Sequence, residues 1–349
     1  MGVETTKRTV EFKPNSRNLF FHILTACNLR CRHCYINPKE HGKKTLELAT
    51  LKKWLRLFSI KDGSNAINKA KDTNVIFLGG EPTLNPALPE AIKYAKELGY
   101  ASITIDTNGY LFNNILEKIS PDDVDYFSFS LDGSNPEKND MIRGRGSFET
   151  CTTGIKRAKE LGFNISAIFT CSSQNIDDLP NMPSLLKELG VSRFFIQVIG
   201  IRGKPAKERK DDLQLSWDKW EQIVPAVAQK AAKLGMICHY PKVFLDLEEK
   251  FECAGLVAEN FFVFPNGRVY TCPLCEDYPL HAYEIIDDQL FKRSPLTETQ
   301  LFSLQIPEGC VMNKIFHPKN IPYDNNGNLL KKVACCMLKE EIRPTASTV

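Results

Sequence analysis

Short apolar runs alternate with longer amphipathic stretches along the first two hundred residues. The apolar runs have the length of strands, and the stretches between them have helical periodicity. Three of these stretches end in Glu-Leu-Gly, which places glycine just past a last helical turn. The pattern predicts strands near 19–24, 74–78, 101–106, 124–130, 163–169 and 193–198. It predicts helices near 45–60, 86–98, 111–119, 147–161 and 176–189.

This alternation predicts an α/β fold in which parallel strands are joined by right-handed crossovers. In parallel barrels the functional residues gather where the strands end. That rule nominates the following polar and sulfur-containing residues: Asp106, Thr107, Asn108, Ser128, Ser130, Asp132, Thr170, Cys171 and Gln197. A charged stretch at 202–212 reads as a loop or linker. We place the core at 15–235 and a smaller cysteine-rich extension at 236–349.

Three cysteines follow the first predicted strand in a C-x3-C-x2-C run: Cys27, Cys31 and Cys34. Iron–sulfur clusters are held by cysteine thiolates, and a four-iron cluster normally takes four. Three thiolates therefore leave one iron open for an outside ligand. The alternative is a closed zinc site that recruits His22, His33 or His41.

A second motif, Gly79-Gly80-Glu81-Pro82, ends the strand predicted at 74–78. Two glycines after an apolar run predict a tight turn, where the backbone can come close to a ligand. The carbonyls there and the Glu81 carboxylate could accept hydrogen bonds from an ammonium group. Taken alone, the motif is an ordinary turn.

Together, the cysteine run and the Gly-Gly-Glu-Pro turn resemble the radical S-adenosylmethionine (SAM) superfamily. The resemblance implies a partial (β/α)6 TIM-like barrel, a catalytic 4Fe-4S cluster, and SAM bound to its open iron. It assigns cofactor binding to the turn and to a second set of residues, namely Asn108, Ser130, Asp132, Arg143 and Gln197. Arginine suits a carboxylate because its planar fork donates two hydrogen bonds. Cys171 is the candidate hydrogen-atom donor to a product radical.

The C-terminal third contains a hairpin signal, Asn266-Gly267, between two apolar runs. The hairpin would carry Cys272 and Cys275 toward Cys253. Together with Gly267 five positions before Cys272, this resembles the SPASM extension or its shorter twitch form. The resemblance implies an auxiliary 4Fe-4S cluster held by Cys253, Cys272, Cys275 and one later cysteine, chosen among Cys310, Cys335 and Cys336. The dense later cysteine segment of a full SPASM domain is missing, so one auxiliary cluster is expected, with a zinc ribbon as the alternative.

The resemblance implies that reductive cleavage of SAM yields a 5′-deoxyadenosyl radical, which abstracts hydrogen from a substrate. A flavodoxin or ferredoxin would supply the electron. The expected substrate is a peptide or protein, and the alternative is a small metabolite or tetrapyrrole precursor. A function of another class, a non-catalytic electron carrier or a zinc-stabilised scaffold, would have no use for the Gly-Gly-Glu-Pro turn.

Composition narrows the setting. The net charge is +3 with 25% charged residues, which implies no general nucleic-acid partner. The apolar runs are too short to span a membrane, and the first ten residues lack the apolar core of a secretory signal. Twelve cysteines in such a chain predict metal or redox chemistry in a reducing cytoplasm rather than disulfides.

Overall fold

The computed structural model describes residues 3–13, 16–61, 64–207, 213–316 and 321–345. Its strands are β1 (Thr5–Val10), β2 (Arg17–His22), β3 (Ile60–Lys61), β4 (Ser64–Asn68), β5 (Thr73–Leu78), β6 (Ser102–Thr107), β7 (Tyr126–Ser130), β8 (Ile165–Cys171), β9 (Arg193–Val198), β10 (Ile237–Pro241), β11 (Phe244–Leu245), β12 (Glu259–Val263), β13 (Arg268–Tyr270), β14 (Tyr283–Ile286), β15 (Gln289–Lys292), β16 (Lys332–Val333) and β17 (Lys339–Pro344). Its α-helices are α1 (Pro38–His41), α2 (Leu48–Ser59), α3 (Leu88–Leu98), α4 (Ile115–Lys118), α5 (Pro136–Arg143), α6 (Ser147–Glu160), α7 (Met182–Glu188), α8 (Lys204–Lys207), α9 (Trp217–Lys233), α10 (Ala254–Val257), α11 (Thr299–Phe302) and α12 (Val311–Phe316).

One large sheet organises the molecule, in the order β1-β17-β10-β9-β8-β7-β6-β5-β2-β12-β13-β14-β15. Its middle, from β10 to β12, consists of parallel pairs. The six strands predicted from the sequence are β2, β5, β6, β7, β8 and β9, and they are neighbours in this parallel run. The prediction of an α/β partial barrel is therefore confirmed.

The parallel run is longer than the six predicted units. After α9, strand β10 pairs in parallel with β9, and β12 pairs in parallel with β2 on the other side. The predicted boundary at 235/236 therefore falls between α9 and β10, inside a continuous sheet. In the stretch 202–212, predicted as a loop or linker, Lys204–Lys207 form the helix α8, and residues 208–212 lie outside the described residues.

The helix prediction is accurate for the long amphipathic stretches and weaker elsewhere. The stretch predicted at 111–119 contains only a 3-10 turn at Phe112–Asn114 and the four-residue α4. Leu111, Asn113 and Asn114 adopt positive φ there, which breaks a longer helix. The short helix α5 was not predicted.

The two faces of the sheet have different roles. On the helix-facing side, alternate residues such as Val75, Phe77, Ile103 and Ile105 are fully buried in the main hydrophobic core. The opposite side, which we call the inner face, carries the intervening residues, among them Asp106. The parallel strands end at one rim of this face, and the loops that carry the functional candidates begin there.

Candidate functional site

The first cysteine loop, residues 25–35, follows β2 and lies directly on the Gly-Gly-Glu-Pro turn. The Gly80 N–H donates to Leu24 O at 3.0 Å, and the Glu81 N–H donates to Ala26 O at 3.0 Å. A Cβ on Gly79 would stand 2.2 Å from Leu24 O, and one on Gly80 would stand 2.0 Å from Ala26 O. The two glycines are thus required for contact between the turn and the cysteine loop. Their close approach is to the protein's own backbone, whereas the sequence suggested an approach to a ligand.

Glu81 is fully buried and holds this contact together. Its Oε1 accepts from Thr83 N (3.1 Å), Thr83 Oγ1 (2.6 Å) and Thr107 Oγ1 (2.9 Å). Its Oε2 accepts from Asn108 N at 2.7 Å. Burial raises the pKa of Glu81, and these donors lower it. The carboxylate therefore joins the ends of β5 and β6, and a hydrogen bond from an ammonium group to it stays a prediction. Pro82 is buried in the 3-10 turn that follows.

Asn108 connects the end of β6 to the cysteine loop. Its Nδ2 donates to Asn28 Oδ1 at 2.8 Å and lies 3.8 Å from the Cys27 sulfur. Its Oδ1 accepts from Tyr110 N at 3.2 Å. This side chain therefore positions the loop that carries Cys27. A role in binding the SAM ribose stays a prediction.

Asp132 and Arg143 form a buried ion pair beside the loop. Arg143 Nε lies 2.6 Å from Asp132 Oδ2, and His33 Nε2 lies 3.3 Å from the same oxygen. Asp132 Oδ1 also accepts from Thr170 N at 2.7 Å. Burial lowers the pKa of His33 to about 4, so its ring is neutral near pH 7. Arg143 was expected to face a carboxylate of SAM, whereas its Nε is directed to Asp132.

The histidines that a zinc site would recruit are engaged elsewhere. His22 contacts Val263 O through Nδ1 (3.1 Å) and the Tyr35 hydroxyl through Nε2 (2.8 Å). His41 contacts Glu276 O through Nε2 at 3.0 Å and accepts from Asn37 N through Nδ1 at 3.0 Å. Together with the His33–Asp132 contact, this arrangement leaves the thiols as the available donors of the first loop, which fits an iron–sulfur cluster.

Other candidates divide between the two faces of the sheet. Ser130 and Gln197 lie on the inner face, and Gln197 is exposed there. Asp106 shares this face, and burial raises its pKa to about 7 although a Ser128 hydrogen bond lowers it. Cys171 shares the helix-facing side with Ala167 and Phe169 and is fully buried in the core, and its role as a hydrogen-atom donor stays a prediction.

The second cysteine group comes together in the C-terminal extension. The predicted hairpin is confirmed, because β12 and β13 pair across Asn266-Gly267. One apolar cavity is lined by five cysteines of this group, which are Cys253, Cys272, Cys310, Cys335 and Cys336. The Cys335 thiol interacts electrostatically with the thiols of Cys253 and Cys336. Cys275 does not line the cavity, but its thiol interacts electrostatically with that of Cys272. Six cysteines are thus neighbours, and the sequence left open which of them pair.

Glu298 is a structural residue that the sequence did not indicate. It is fully buried, and its Oε1 accepts from Thr271 N (2.6 Å), Thr271 Oγ1 (3.1 Å) and Ala282 N (3.3 Å). Its Oε2 accepts from Cys272 N at 3.0 Å. Burial raises the pKa of Glu298 to about 7, and these donors lower it. It holds the second cysteine group as Glu81 holds the first.

The thiols themselves are not yet arranged as ligands. All twelve cysteines are free. In the described ranges, no three His, Cys, Asp or Glu side chains stand in ligand geometry around one point. The thiols of either group would have to rotate toward a common centre to hold a cluster.

Comparisons with known proteins agree with this site. Residues 22–186 match the family described as the Radical SAM superfamily. The chain is 31% identical to Fe-coproporphyrin III synthase of Methanosarcina barkeri over 213 residues, which cover 60% of this chain and 50% of that protein. It is 25% identical to the mycofactocin maturase MftC of Mycolicibacterium smegmatis over 294 residues, which cover 78% and 68%. The chain therefore spans half the length of the first of these relatives.

A solved structure extends the likeness in fold to the C-terminal part. Streptococcus suis SuiB, bound to S-adenosylmethionine, aligns with a TM-score of 0.61 at 15% identity. The alignment covers 87% of this chain and 74% of SuiB. Residues 22–186 therefore form a domain of the radical SAM superfamily. The superfamily uses a 4Fe-4S cluster and SAM. In the described part of the chain, no helix is both long and apolar enough to cross a membrane.

Proposed function

We propose that Cys27, Cys31 and Cys34 hold a catalytic 4Fe-4S cluster and that SAM binds beside it at the rim of the inner face. When bound, the cluster supplies the electron that cleaves SAM to methionine and a 5′-deoxyadenosyl radical. The protein's residues position this chemistry: Glu81 fixes the turn, Asn108 fixes the loop, and the Asp132–Arg143 pair supports its far side. Ser130 and Gln197 face the space where SAM and substrate would meet.

The observation that carries this proposal is the direct packing of the cysteine loop on the Gly-Gly-Glu-Pro turn. Two backbone hydrogen bonds of 3.0 Å and two close glycine contacts fix one motif on the other. The test is anaerobic reconstitution followed by measurement of 5′-deoxyadenosine formed from SAM and dithionite. An enzyme that binds about four irons at this loop yet forms none would contradict the proposal.

For the second cysteine group we propose an auxiliary 4Fe-4S cluster rather than zinc. The cavity gathers five thiols among apolar side chains such as Phe251, Phe302 and Met337. His41 contacts the Glu276 carbonyl near this region through Nε2. Five cysteines are ligand candidates because they line the cavity, namely Cys253, Cys272, Cys310, Cys335 and Cys336. Elemental analysis decides the metal, since zinc without residual iron in a chain lacking Cys27, Cys31 and Cys34 would indicate a ribbon.

The proposed substrate is a peptide or protein. MftC is named a maturase, and another relative, from Gluconobacter oxydans, is named a PqqA peptide cyclase. Their alignments cover 78% and 84% of this chain, against 60% for Fe-coproporphyrin III synthase. One observation supports the tetrapyrrole alternative instead, because the identity to Fe-coproporphyrin III synthase, 31%, is higher than the identity to the other two relatives. The test compares SAM turnover with a peptide encoded beside the gene and with a tetrapyrrole precursor. Formation of 5′-deoxyadenosine stimulated only by the tetrapyrrole would select the alternative.

The electron donor that we propose is a small acidic protein of the flavodoxin or ferredoxin class. Exposed cations surround the first cysteine loop, namely Arg30, Arg32, Lys43, Lys44 and Arg145. Arg32 lies beside α5 through a hydrogen bond from its N–H to Ile142 O at 2.9 Å. Lys44 precedes Thr45, which is bridged to Leu24. Across the described residues, none of these five cations forms an ion pair, so the surface favours an anionic partner.

Charge reversal separates donor docking from SAM chemistry. Replacing Arg30, Lys43 and Lys44 with Glu should slow flavodoxin-driven SAM cleavage, with the loss shrinking at high salt because the attraction is screened. Dithionite-driven cleavage should stay unchanged. Reversal of Lys93 and Lys96 on α3 is the matched control. Equal rates with flavodoxin for both variants would remove this surface from the proposal. The free thiols suit a reducing compartment, so we propose the cytoplasm as its location.

A further inference from the structure

We infer that the segment Arg202–Lys204, here called the bridge segment, positions the two cysteine groups relative to each other, so that metal binding at the first loop depends on it. The inference rests on the proposed function and adds a positioning element that the cysteine motifs do not contain. The segment follows β9 and contacts residues far away in sequence on both sides.

Toward the second cysteine group, the bridge segment binds the turn at residues 273–277. Arg202 Nη1 donates to Pro273 O at 2.5 Å and forms an ion pair with the buried Glu276. The Gly203 N–H donates to Asp277 Oδ2 at 2.6 Å. Pro273 follows Cys272, and Glu276 follows Cys275. These bonds therefore fix the backbone that carries two candidate ligands.

Toward the first cysteine loop, the same segment bonds to the carbonyls of two ligand candidates. The Lys204 N–H donates to Cys34 O at 3.0 Å, and Lys204 Nζ donates to Cys31 O at 3.0 Å. Gly203 is buried with φ +62°, and a Cβ there would stand 2.5 Å from Tyr35 Cα and 2.6 Å from Cys34 O. Three consecutive residues thus hold both cysteine groups by direct bonds.

Aromatic contacts make this connection rigid. The Arg202 guanidinium lies over the Tyr35 ring at 4.4 Å. The Tyr35 hydroxyl is 2.8 Å from His22 Nε2, and the His22 ring stacks on Phe264 at 4.0 Å. On the other side of Phe264 the His41 ring stacks at 4.0 Å. His41 closes the circuit through its bond to Glu276 O.

The histidine tautomers follow from these partners. His22 Nδ1 faces the carbonyl of Val263, so that nitrogen carries the proton and Nε2 accepts from Tyr35. Burial lowers the pKa of His22 well below its ordinary value, which keeps the ring neutral. The circuit therefore holds one arrangement of hydrogen bonds, and a shift of the 273–277 turn would be transmitted to Tyr35 and Cys34.

The decisive variant is Gly203→Ala, with Gly99→Ala as its matched control. Both glycines have positive φ, +62° and +79°, but a Cβ at Gly99 meets nothing within 4 Å. Both are placed in a chain in which all six cysteines of the second group are replaced by Ser, so that only the first loop binds iron. Gly203→Ala should lower the apparent iron affinity of that loop by about tenfold, as loss of an outer-shell support does. Gly99→Ala should leave it unchanged.

Arg202 provides a second variant if Gly203→Ala does not fold. Arg202→Gln should change the electron paramagnetic resonance signal of the reduced first cluster in the otherwise unaltered enzyme, and Arg202→Lys should restore it in part. A merely structural residue would change the melting temperature without changing that signal. Wild-type iron affinity in Gly203→Ala, or an unchanged signal in Arg202→Gln, would overturn the inference. Iron content is measured without turnover, so failure to cleave SAM would count against the proposed function alone.

Discussion

The two cysteine groups of this protein are built in opposite surroundings. The first lies in a loop with Cys27 exposed, among polar side chains and surface cations. The second lines an apolar cavity in which Cys310 and Cys335 are buried. A cluster that must bind SAM and meet an electron donor needs access. A cluster that serves the substrate side is better shielded from water, because solvent exposure and hydrogen bonds tune its potential.

The same device nevertheless anchors both groups. Glu81 and Glu298 are each fully buried, and each accepts four hydrogen bonds from nearby backbone and threonine groups. A buried carboxylate is favourable only when such donors satisfy it. The difference in chemistry between the two groups therefore comes from what surrounds the thiols, while the positioning of their backbones is alike.

The first prediction compares two variants, each of which lacks three cysteines of one of the two groups. Cys27→Ala, Cys31→Ala and Cys34→Ala together should abolish formation of 5′-deoxyadenosine and leave about four irons bound at the second group. Cys253→Ser, Cys272→Ser and Cys335→Ser together should leave SAM cleavage by dithionite measurable but abolish turnover of the true substrate. Iron content and 5′-deoxyadenosine are measured on both. Equal loss of SAM cleavage in the two variants would erase the functional distinction.

We expect Glu81 and Glu298 each to affect iron binding only at the neighbouring cysteine group. Glu81→Gln and Glu298→Gln each replace an acceptor oxygen by an amide that donates, so one buried N–H loses its partner. Each should lower the free energy of unfolding by about 1–3 kcal/mol, measured by urea denaturation. Glu81→Gln should weaken SAM binding and iron at the first loop, and Glu298→Gln should weaken iron at the second group. The reverse pattern would refute the local assignment.

Cys171 tests whether the helix-facing side takes part in chemistry. Cys171→Ser buries a hydroxyl in a core made of apolar side chains and should cost about 1–2 kcal/mol of stability. The yield and identity of the product should not change, because this side chain is on the wrong face of the sheet. Loss of product without loss of stability would restore its earlier role. Cys238, also buried in that core, offers a matched control as Cys238→Ser.

Asp106, on the inner face, is expected to make the stability of the protein depend on pH. Its folded-state pKa of about 7 lies above its ordinary value of 3.8, so the folded protein binds this proton more tightly than the unfolded chain. Stability should therefore fall as the pH rises through that window. Asp106→Asn should remove the loss and raise the free energy of unfolding at neutral pH. Chemical denaturation of both proteins at pH 5 and pH 8 measures it. Parallel pH profiles would show that the carboxyl has no such role.

The sequence predicted this architecture well where one pattern dominates locally. The six parallel strands and the hairpin at Asn266-Gly267 were visible as apolar runs and turn residues. The side of the sheet on which Cys171 lies could have been predicted as well, because Ile165, Ala167, Phe169 and Cys171 are spaced two residues apart along β8 and therefore share one face. Glu298 could not be foreseen, since it reaches Cys272 from 26 positions away with no motif to mark it. The contacts of the bridge segment could not be foreseen either, because they join residues that are far apart in the sequence.

The continuous sheet limits which segments of this chain can be exchanged with those of its relatives. Residues after 236 supply β10 beside β9, β17 beside β10, and β12 beside β2. A chain that ended at 235 would leave β9 and β2 each with one unpaired edge, and such edges pair readily between molecules. The cysteine-rich part therefore cannot be removed without also removing strands of the main sheet. A functional chimera would have to exchange the flanking strands together with the cysteines.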